Sequence, residues 1–353
     1  MSFTKVIKID PVNPKEEYLK EAADILIKGG LVIMPTETVY GIAANMLNKK
    51  ALDRLYKIKN RPKDKLFSLH IDKKERIEEF AKDIPVPAYK LIDKFWPGPL
   101  TIILKSKDEG NVGLRMPDNE IALKIINLAK VPIACPSANL SGEPAPTNFQ
   151  EAMQDFKDLV DFAIDAGSTK LNVESSVVDL TVQPLRILRE GAIKKEDIEA
   201  VVKKKTVLFV CTGNSCRSVM AKGLLEKRLK EQGRFDIEVL SAGIMILGGL
   251  EASSETIELL KKEGIDVSGH FSQRASLEII KKSDIILVME RLQEEKILKL
   301  VPQAKFRLFL LKEFAKIDDS NLDIADPIGK PMQFYAQTFA VIKEAIERIS
   351  NVI

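Results

Sequence analysis

Residues 207–218, VLFVCTGNSCRS, decide how the chain is read. Four apolar residues, mostly β-favouring, run into Cys211; a short polar turn follows, and Arg217 and Ser218 open a helix-like segment. Read as strand, loop and helix, the stretch aims the amides of residues 212–217 at one point in front of the Cys211 sulfur. Converging N–H groups at a helix N-terminus favour an anion, so Thr212, Gly213, Asn214, Ser215, Cys216 and Ser218 form a candidate phosphate loop. A thiolate is stabilised by helix N-termini and by nearby cations, and Cys211 has both in prospect. Arg217 can grip two phosphoryl oxygens as a fork, which a lysine cannot do. Ser218 can donate to the thiolate, and Asn214 can hold a left-handed turn. A buried cysteine at a strand end is the ordinary alternative. The placement at a strand-to-helix junction, with Gly213, Asn214 and Ser218 around it, argues against that alternative. Because the stretch begins an α/β domain, the chain before it should be a domain of its own.

The bulk properties fit that division. A chain of 353 residues is long enough for two domains. Its 45% hydrophobic and 30% charged residues are those of an ordinary globular protein. A net charge of +3 is too small to announce nucleic-acid binding, so any anion site must come from local clustering. No apolar run reaches the roughly 20 residues that span a bilayer, and the first residues lack the apolar core of a signal peptide. Three cysteines make no disulfide framework, which points to a reducing cytoplasm. With only His70 and His270 there is no HExxH, no zinc spacing and little material for a Ser–His–Asp triad. No metal site is expected. Chemistry must rest on Cys, Asp, Lys, Arg and hydroxyl groups.

Upstream of the loop, helices are expected at 14–28 (stopped by Gly29-Gly30), 49–58 (capped by Asn48), 72–82, 88–95, 120–129 and 194–202. Strands are expected at 31–36, 66–71, 101–105, 112–116, 132–135, 162–164, 176–180 and 185–188. This irregular interleaving predicts an α/β domain, 1–203, with a twisted mixed sheet. Lys203-Lys204-Lys205 reads as a solvated linker. Beyond it, strands at 206–210, 236–240 and 284–288 alternate with helices at 218–231, 253–263 and 333–349. That pattern predicts a small, doubly wound parallel-sheet domain, 206–353.

CTGNSCRS followed by VMA, SAG at 241–243, GIDVSGH at 264–270 and ADPIG at 325–329 resemble, in order, the low-molecular-weight protein phosphatase family. The resemblance implies that Cys211 forms a phosphocysteine intermediate. It implies that Arg217 and the loop amides stabilise the equatorial oxygens, and that Asp326 is the general acid and then the base. An Asp-Pro by itself is more often a turn former. Ser215 stands where tyrosine phosphatases of the family carry a bulky apolar residue, and Ile328-Gly329 replaces aromatics. With LKEF at 311–314 and FYAQT at 334–338, these features resemble the protein-arginine phosphatases, so phosphoarginine is favoured over phosphotyrosine. An arsenate reductase would need further cysteines downstream, and none follows Cys216. Cys216 is either a packing residue or a partner for Cys211 under oxidation. Val219 and Lys222 replace a usual proline and acidic residue, which leaves an inactive phosphatase as the alternative.

The first domain has no GxxxxGK[ST] and no GxGxxG. Its cations nevertheless gather at loops: Lys57, Lys59, Arg61, Lys63, Lys65, Arg115, Arg186 and Arg189. Such runs are usually solvated faces, and on spacing alone an anion or nucleotide cleft is an even reading. PTETVYG, KNRP, LHI, PGPLTIIL, GLRMP, PSANLSG, SSVVD and LREGA, in order over about residues 10–200, resemble the YrdC-like threonylcarbamoyl-AMP synthase family. The family's KxR…SxN tetrad is present as Lys59, Arg61, Ser137 and Asn139. The resemblance implies formation of threonylcarbamoyl-AMP and pyrophosphate from L-threonine, bicarbonate and ATP with Mg²⁺. The product would pass to the machinery that makes N6-threonylcarbamoyladenosine in tRNA. It further implies that Lys59, Arg61, Ser137, Asn139 and Arg189 bind ATP, and that Thr36, His70, Arg115, Ser175 and Ser176 hold threonine. Without the family pattern His70 would read as a packed strand histidine, and Cys135 reads as core. A rival reading makes this domain a double-stranded RNA-binding module, joined to a tyrosine phosphatase or an inactive one. The phosphatase partners would be phosphorylated proteins, with no membrane involved.

Overall fold

The computed structural model describes residues 3–245 and 249–353. It divides into two compact units, 1–201 and 202–353. The strands of the first are β1 (Lys5–Lys8), β2 (Val32–Met34), β3 (Gly41–Asn45), β4 (Leu69–His70), β5 (Leu100–Lys105), β6 (Asn111–Arg115), β7 (Ile133–Ala134), β8 (Phe162–Asp165), β9 (Ser176–Asp179) and β10 (Arg186–Arg189). They form one sheet in the order β1-β8-β2-β3-β7-β4-β6-β5-β9-β10. Parallel pairs such as β1·β8 and β5·β9 alternate irregularly with antiparallel ones such as β2·β3 and β5·β6, so the sheet is mixed.

Helix Glu16–Ile27 buries Leu19, Ala22, Ala23 and Leu26 on one stripe. That stripe meets Ile121, Ile125 and Ile126 of helix Glu120–Ala129 and the apolar faces of β2 and β8 in one core. Gly29, at φ 88°, takes the left-handed conformation that ends the first helix. Helix Lys49–Ile58 starts on Asn48, whose side-chain oxygen accepts from the Ala51 amide.

Several elements depart from the sequence expectation. The strand at 66–71 narrows to Leu69–His70. The helix at 72–82 is a 3₁₀ turn, Lys74–Arg76, and one α-helical turn, Ile77–Phe80. Of these residues only Ile77 is buried, so no apolar stripe exists to carry a longer helix. β1, β3 and helix Phe149–Gln154 were not expected. β3 is Gly-Ile-Ala-Ala-Asn, poor in β-formers, and owes its form to pairing with β2 and β7.

The second unit is built on β11 (Lys205–Cys211), β12 (Ile237–Gly243), β13 (Ile285–Val288) and β14 (Leu308–Leu310), in the order β12-β11-β13-β14, all parallel. Val207 and Phe209 face one core with helices Arg217–Glu231 and Met332–Ile349. Leu208 and Val210 face the other, with Ile280, Ile297 and Val301. Alternate residues of one strand thus bury in opposite layers, which is the doubly wound arrangement. β14 and helices Leu277–Lys282 and Arg291–Leu300 were not expected. The linker reading of the three lysines gives way to secondary structure: helix Lys195–Lys203 ends and β11 begins with Lys204 alone between them. Among the described residues no helix is long and apolar enough to cross a membrane.

Candidate active sites

In the first unit a cavity of about 280 Å³ opens where the ends of β4, β6 and β9 meet the loops at 36–41, 61–68 and 135–137. Thr36, Arg61, His70, Arg115, Ser137, Ser175 and Arg189 all line it. Seven residues far apart in sequence, each expected from a separate short motif, therefore line one cavity. Arg115, only 4% exposed, donates from Nη2 to Glu37 Oε1 at 2.7 Å and to Thr38 Oγ1 at 2.8 Å. A buried guanidinium needs such acceptors, and Glu37 and Thr38 fix its direction. Arg189 donates from Nε to the Ser175 carbonyl at 2.9 Å, from Nη2 to Ser175 Oγ at 3.1 Å, and from Nη1 to the Glu174 carboxylate. Ser175 Oγ also meets Thr101 Oγ1 at 3.0 Å. Arg61 lies over the Phe67 ring and bonds the Lys65 and Leu66 carbonyls. Burial, and then Arg115, hold His70 well below its ordinary 6.5, so the imidazole is neutral at pH 7. Its Nδ1 and Glu37 Oε2 are buried without a partner, polar atoms that a small polar ligand would satisfy.

Three expected residues do not line the cavity. Ser176 accepts from the Gly191 and Ile193 amides and donates to the Ile193 carbonyl, holding the loop after β10. Asn139 donates to the Leu140 and Glu143 carbonyls, bracing its own loop. Lys59 is buried beneath the wall, its ammonium on the carbonyls of Ser137 and Asn139. Glu37, Thr38, Thr101 and Glu174 were missed as site residues. Glu37 and Thr38 lie inside the TETVYG turn, but nothing in a lone sequence tells which hydroxyl or carboxylate faces an arginine 78 residues away.

In the second unit the cysteine loop sits between β11 and helix Arg217–Glu231. Cys211 Sγ lies 3.0 Å from Ser218 Oγ and accepts from the Asn214 amide at 3.2 Å. Asn214, at φ 49°, donates from Nδ2 to Ser218 Oγ and accepts the Gln273 amide on Oδ1. The loop's carbonyls turn outward. Those of Cys211, Thr212 and Ser215 accept from the amides of Ile244, Met245 and Ser253, and that of Asn214 takes His270 Nε2 at 2.7 Å. A trans peptide points its N–H opposite to its C=O, so the amides of Thr212, Gly213, Ser215 and Cys216 face the loop centre. Arg217, 1% exposed, donates to Glu290 Oε2 at 2.6 Å, to the Ile324 carbonyl at 2.7 Å and to Asp326 Oδ2 at 2.5 Å. The expected arginine and aspartate therefore meet, and Arg217 also reaches Thr212 Oγ1, beside Cys211, at 3.4 Å. Glu290 and Gln293, which also bond each other, were missed. Cys216 contacts Ser253 and Tyr335.

Residues 24–191 match the Sua5/YciO/YrdC family model, described as Telomere recombination. Over 203 residues the chain is 38% identical to a provisionally named threonylcarbamoyl-AMP synthase of Methanocaldococcus jannaschii, covering 54% of this chain and 94% of that protein. The chain belongs to the Sua5/YciO/YrdC family. Another member, the threonylcarbamoyl-AMP synthase of Pyrococcus abyssi, is 40% identical over 219 residues, 60% of this chain and 64% of that one. The chain spans less than two thirds of the length of the Pyrococcus abyssi and Bacillus subtilis relatives. The solved structure of P. abyssi Sua5 complexed with L-threonine is 29% identical with a TM-score of 0.55, covering 87% of this chain and 99% of that one. Joined to the Sua5/YciO/YrdC unit, residues 206–353 match the low molecular weight phosphotyrosine protein phosphatase model.

Proposed function

We propose that the first unit makes threonylcarbamoyl-AMP from L-threonine, bicarbonate and ATP, and that the second is a cysteine phosphatase acting on protein phosphoarginine. The observation that carries the first half is the convergence of Thr36, His70, Arg115 and Ser175 with Arg61, Ser137 and Arg189 on one cavity. In the reaction the threonine amine attacks the bicarbonate carbon and water leaves, giving a carbamate. A carbamate oxygen then attacks the α-phosphorus and the bond to the β-phosphate oxygen breaks, releasing pyrophosphate. Arg115, fixed by Glu37 and Thr38, pairs with the threonine carboxylate. Neutral His70 offers an acceptor for the amino acid. Arg61 and Arg189 exchange their present carbonyl and carboxylate partners for phosphate oxygens and spread the charge of the transition state. Among the described residues no group of three His, Cys, Asp or Glu could hold a metal. The residues do not fit a resident ion, and Mg²⁺ would arrive with the triphosphate.

The product is the donor for tRNA N6-threonylcarbamoyladenosine, which makes the tRNA-modifying transferase the partner and the cytoplasm the compartment. Duplex RNA suits the cavity poorly, because a guanidinium as deep as Arg115 lies beyond the reach of a duplex backbone. Pyrophosphate release measured with and without threonine and bicarbonate tests the reading. Turnover of ATP indifferent to threonine would end it.

In the second unit Cys211 attacks phosphorus and the leaving group takes a proton from Asp326, which then activates water on the phosphocysteine. Arg217 and the inward amides hold the equatorial oxygens. The choice of phosphoarginine rests on Ser215, where the tyrosine phosphatases of the family carry a bulky apolar residue, and on Ile328-Gly329 in place of their aromatics. Phosphoarginine and phosphotyrosine peptides, compared on the wild type and on Ser215→Ile, test the substrate. An unchanged preference in the variant would remove Ser215 from the argument.

A further inference from the structure

The KxR pair invites the reading that both cations touch the nucleotide, yet Lys59 and Arg61 face different ways. Arg61 lines the cavity, whereas Lys59 is 2% exposed and lies beneath it. Its Nζ donates to the Ser137 carbonyl at 2.6 Å and to the Asn139 carbonyl at 2.5 Å. The Lys59 carbonyl in turn accepts from the Ser141 amide at 3.1 Å. One residue thus grips every second residue of the 137–141 loop, twice through its side chain and once through its backbone. On its other side the start of the loop pairs with β3 and the residue before it: the Ile42 amide bonds the carbonyl of Pro136, just ahead of the loop, at 2.9 Å, and the Ala138 amide bonds the Tyr40 carbonyl at 2.8 Å.

We propose that Lys59 is a positioning residue, a clamp that fixes the 137–141 loop so that Ser137 stands in the cavity wall, and not a phosphate contact. The clamp rests on the nucleotide reading of the cavity given above. Both side-chain bonds are charge-assisted, the stronger kind, and they supply the acceptors that a buried ammonium requires. Burial, and then Arg61, bring Lys59 down to about 8, so the ammonium is still charged at neutral pH. A loop held from both edges presents its serine in one orientation before any ligand arrives, which lowers the ordering cost of binding.

The test uses the full chain with Lys59→Met, which keeps the stem and loses every donor, beside Lys59→Gln, which keeps a neutral donor. In the unliganded protein, amides 137–141 of Lys59→Met should exchange hydrogen at least about tenfold faster than wild type. Those of helix Glu16–Ile27 should not change, and Lys59→Gln should recover part of the protection. Equilibrium binding separates a clamp from a contact. A clamp lowers ATP and AMP affinity by the same factor, within about threefold, and leaves the salt dependence of ATP binding unaltered. Unchanged exchange at 137–141 overturns the proposal, as does a loss confined to ATP with a flatter salt dependence. Where Lys59→Met loosens the helix as well, Lys59→Gln carries the same comparison. Failure of the wild type to bind either nucleotide would sink the nucleotide reading, while the exchange result would still decide the clamp.

Discussion

Arg217 is among the largest fully buried side chains of the molecule, and its charge is met by Glu290 and Asp326. The same guanidinium that is to receive a phosphoryl group therefore holds the carboxylate assigned to the leaving group. Cys211→Ser should abolish hydrolysis of an aryl phosphate, and Asp326→Ala should slow it by about 10²–10⁴; full activity in the serine variant would end the nucleophile assignment. His70 supplies a test in the first unit. Its folded-state proton affinity is lowered by burial and by Arg115, while the unfolded chain takes up the proton near 6.5. Below 6.5 the unfolded state binds more protons, so this contribution to stability is complete above 6.5 and is lost as pH falls toward the folded value. The wild type should lose melting temperature more steeply than His70→Gln between pH 6.5 and 5, and parallel curves would refute the assignment. Single residues were legible where chemistry is local, as for Cys211 and Arg217. Glu37 and Glu290 were not, because their meaning lies in a partner brought by the fold.

Helices carried more of their own instructions than strands did. Helix Lys49–Ile58 was readable from Asn48 and its apolar spacing, and it runs straight into Lys59 and Arg61. Asn48→Ala should destabilise the protein by about 1 kcal/mol, measured by urea unfolding, with a raised KM for ATP if the cap also steadies the cavity edge. β3 and β14 stayed hidden because a short strand is defined by its neighbours, and GIAAN offers neither alternation nor β-branched bulk beyond one isoleucine. Its glycine has a reason that only packing reveals. A Cβ at Gly41 would lie 2.5 Å from Cys135 Sγ and 3.1 Å from the Pro136 carbonyl. Gly41→Ala should therefore cost about 1–3 kcal/mol and move the wall that Cys135, Pro136 and Ser137 form; unfolding at the wild-type midpoint would contradict that contact.

Each unit has its own buried core, and the Methanocaldococcus jannaschii relative, matched over 94% of its length, is little longer than the first unit. The fragment ending at Lys204 should accordingly unfold in a single cooperative transition and retain threonine-dependent pyrophosphate release; an uncooperative melt would show that the unit needs more of the chain. The two-part division was legible because a strand opening on a phosphate loop announces a beginning. The form of the junction was not, since three consecutive lysines read as an open tether. Lys203 instead closes a helix and Lys205 opens a strand. Proteases that cleave after lysine act on extended exposed chain, and here the helical and sheet hydrogen bonds leave a single residue between the two elements. The most lysine-rich point of the chain should thus be a poor place for trypsin to nick it, and digestion under native conditions should start elsewhere.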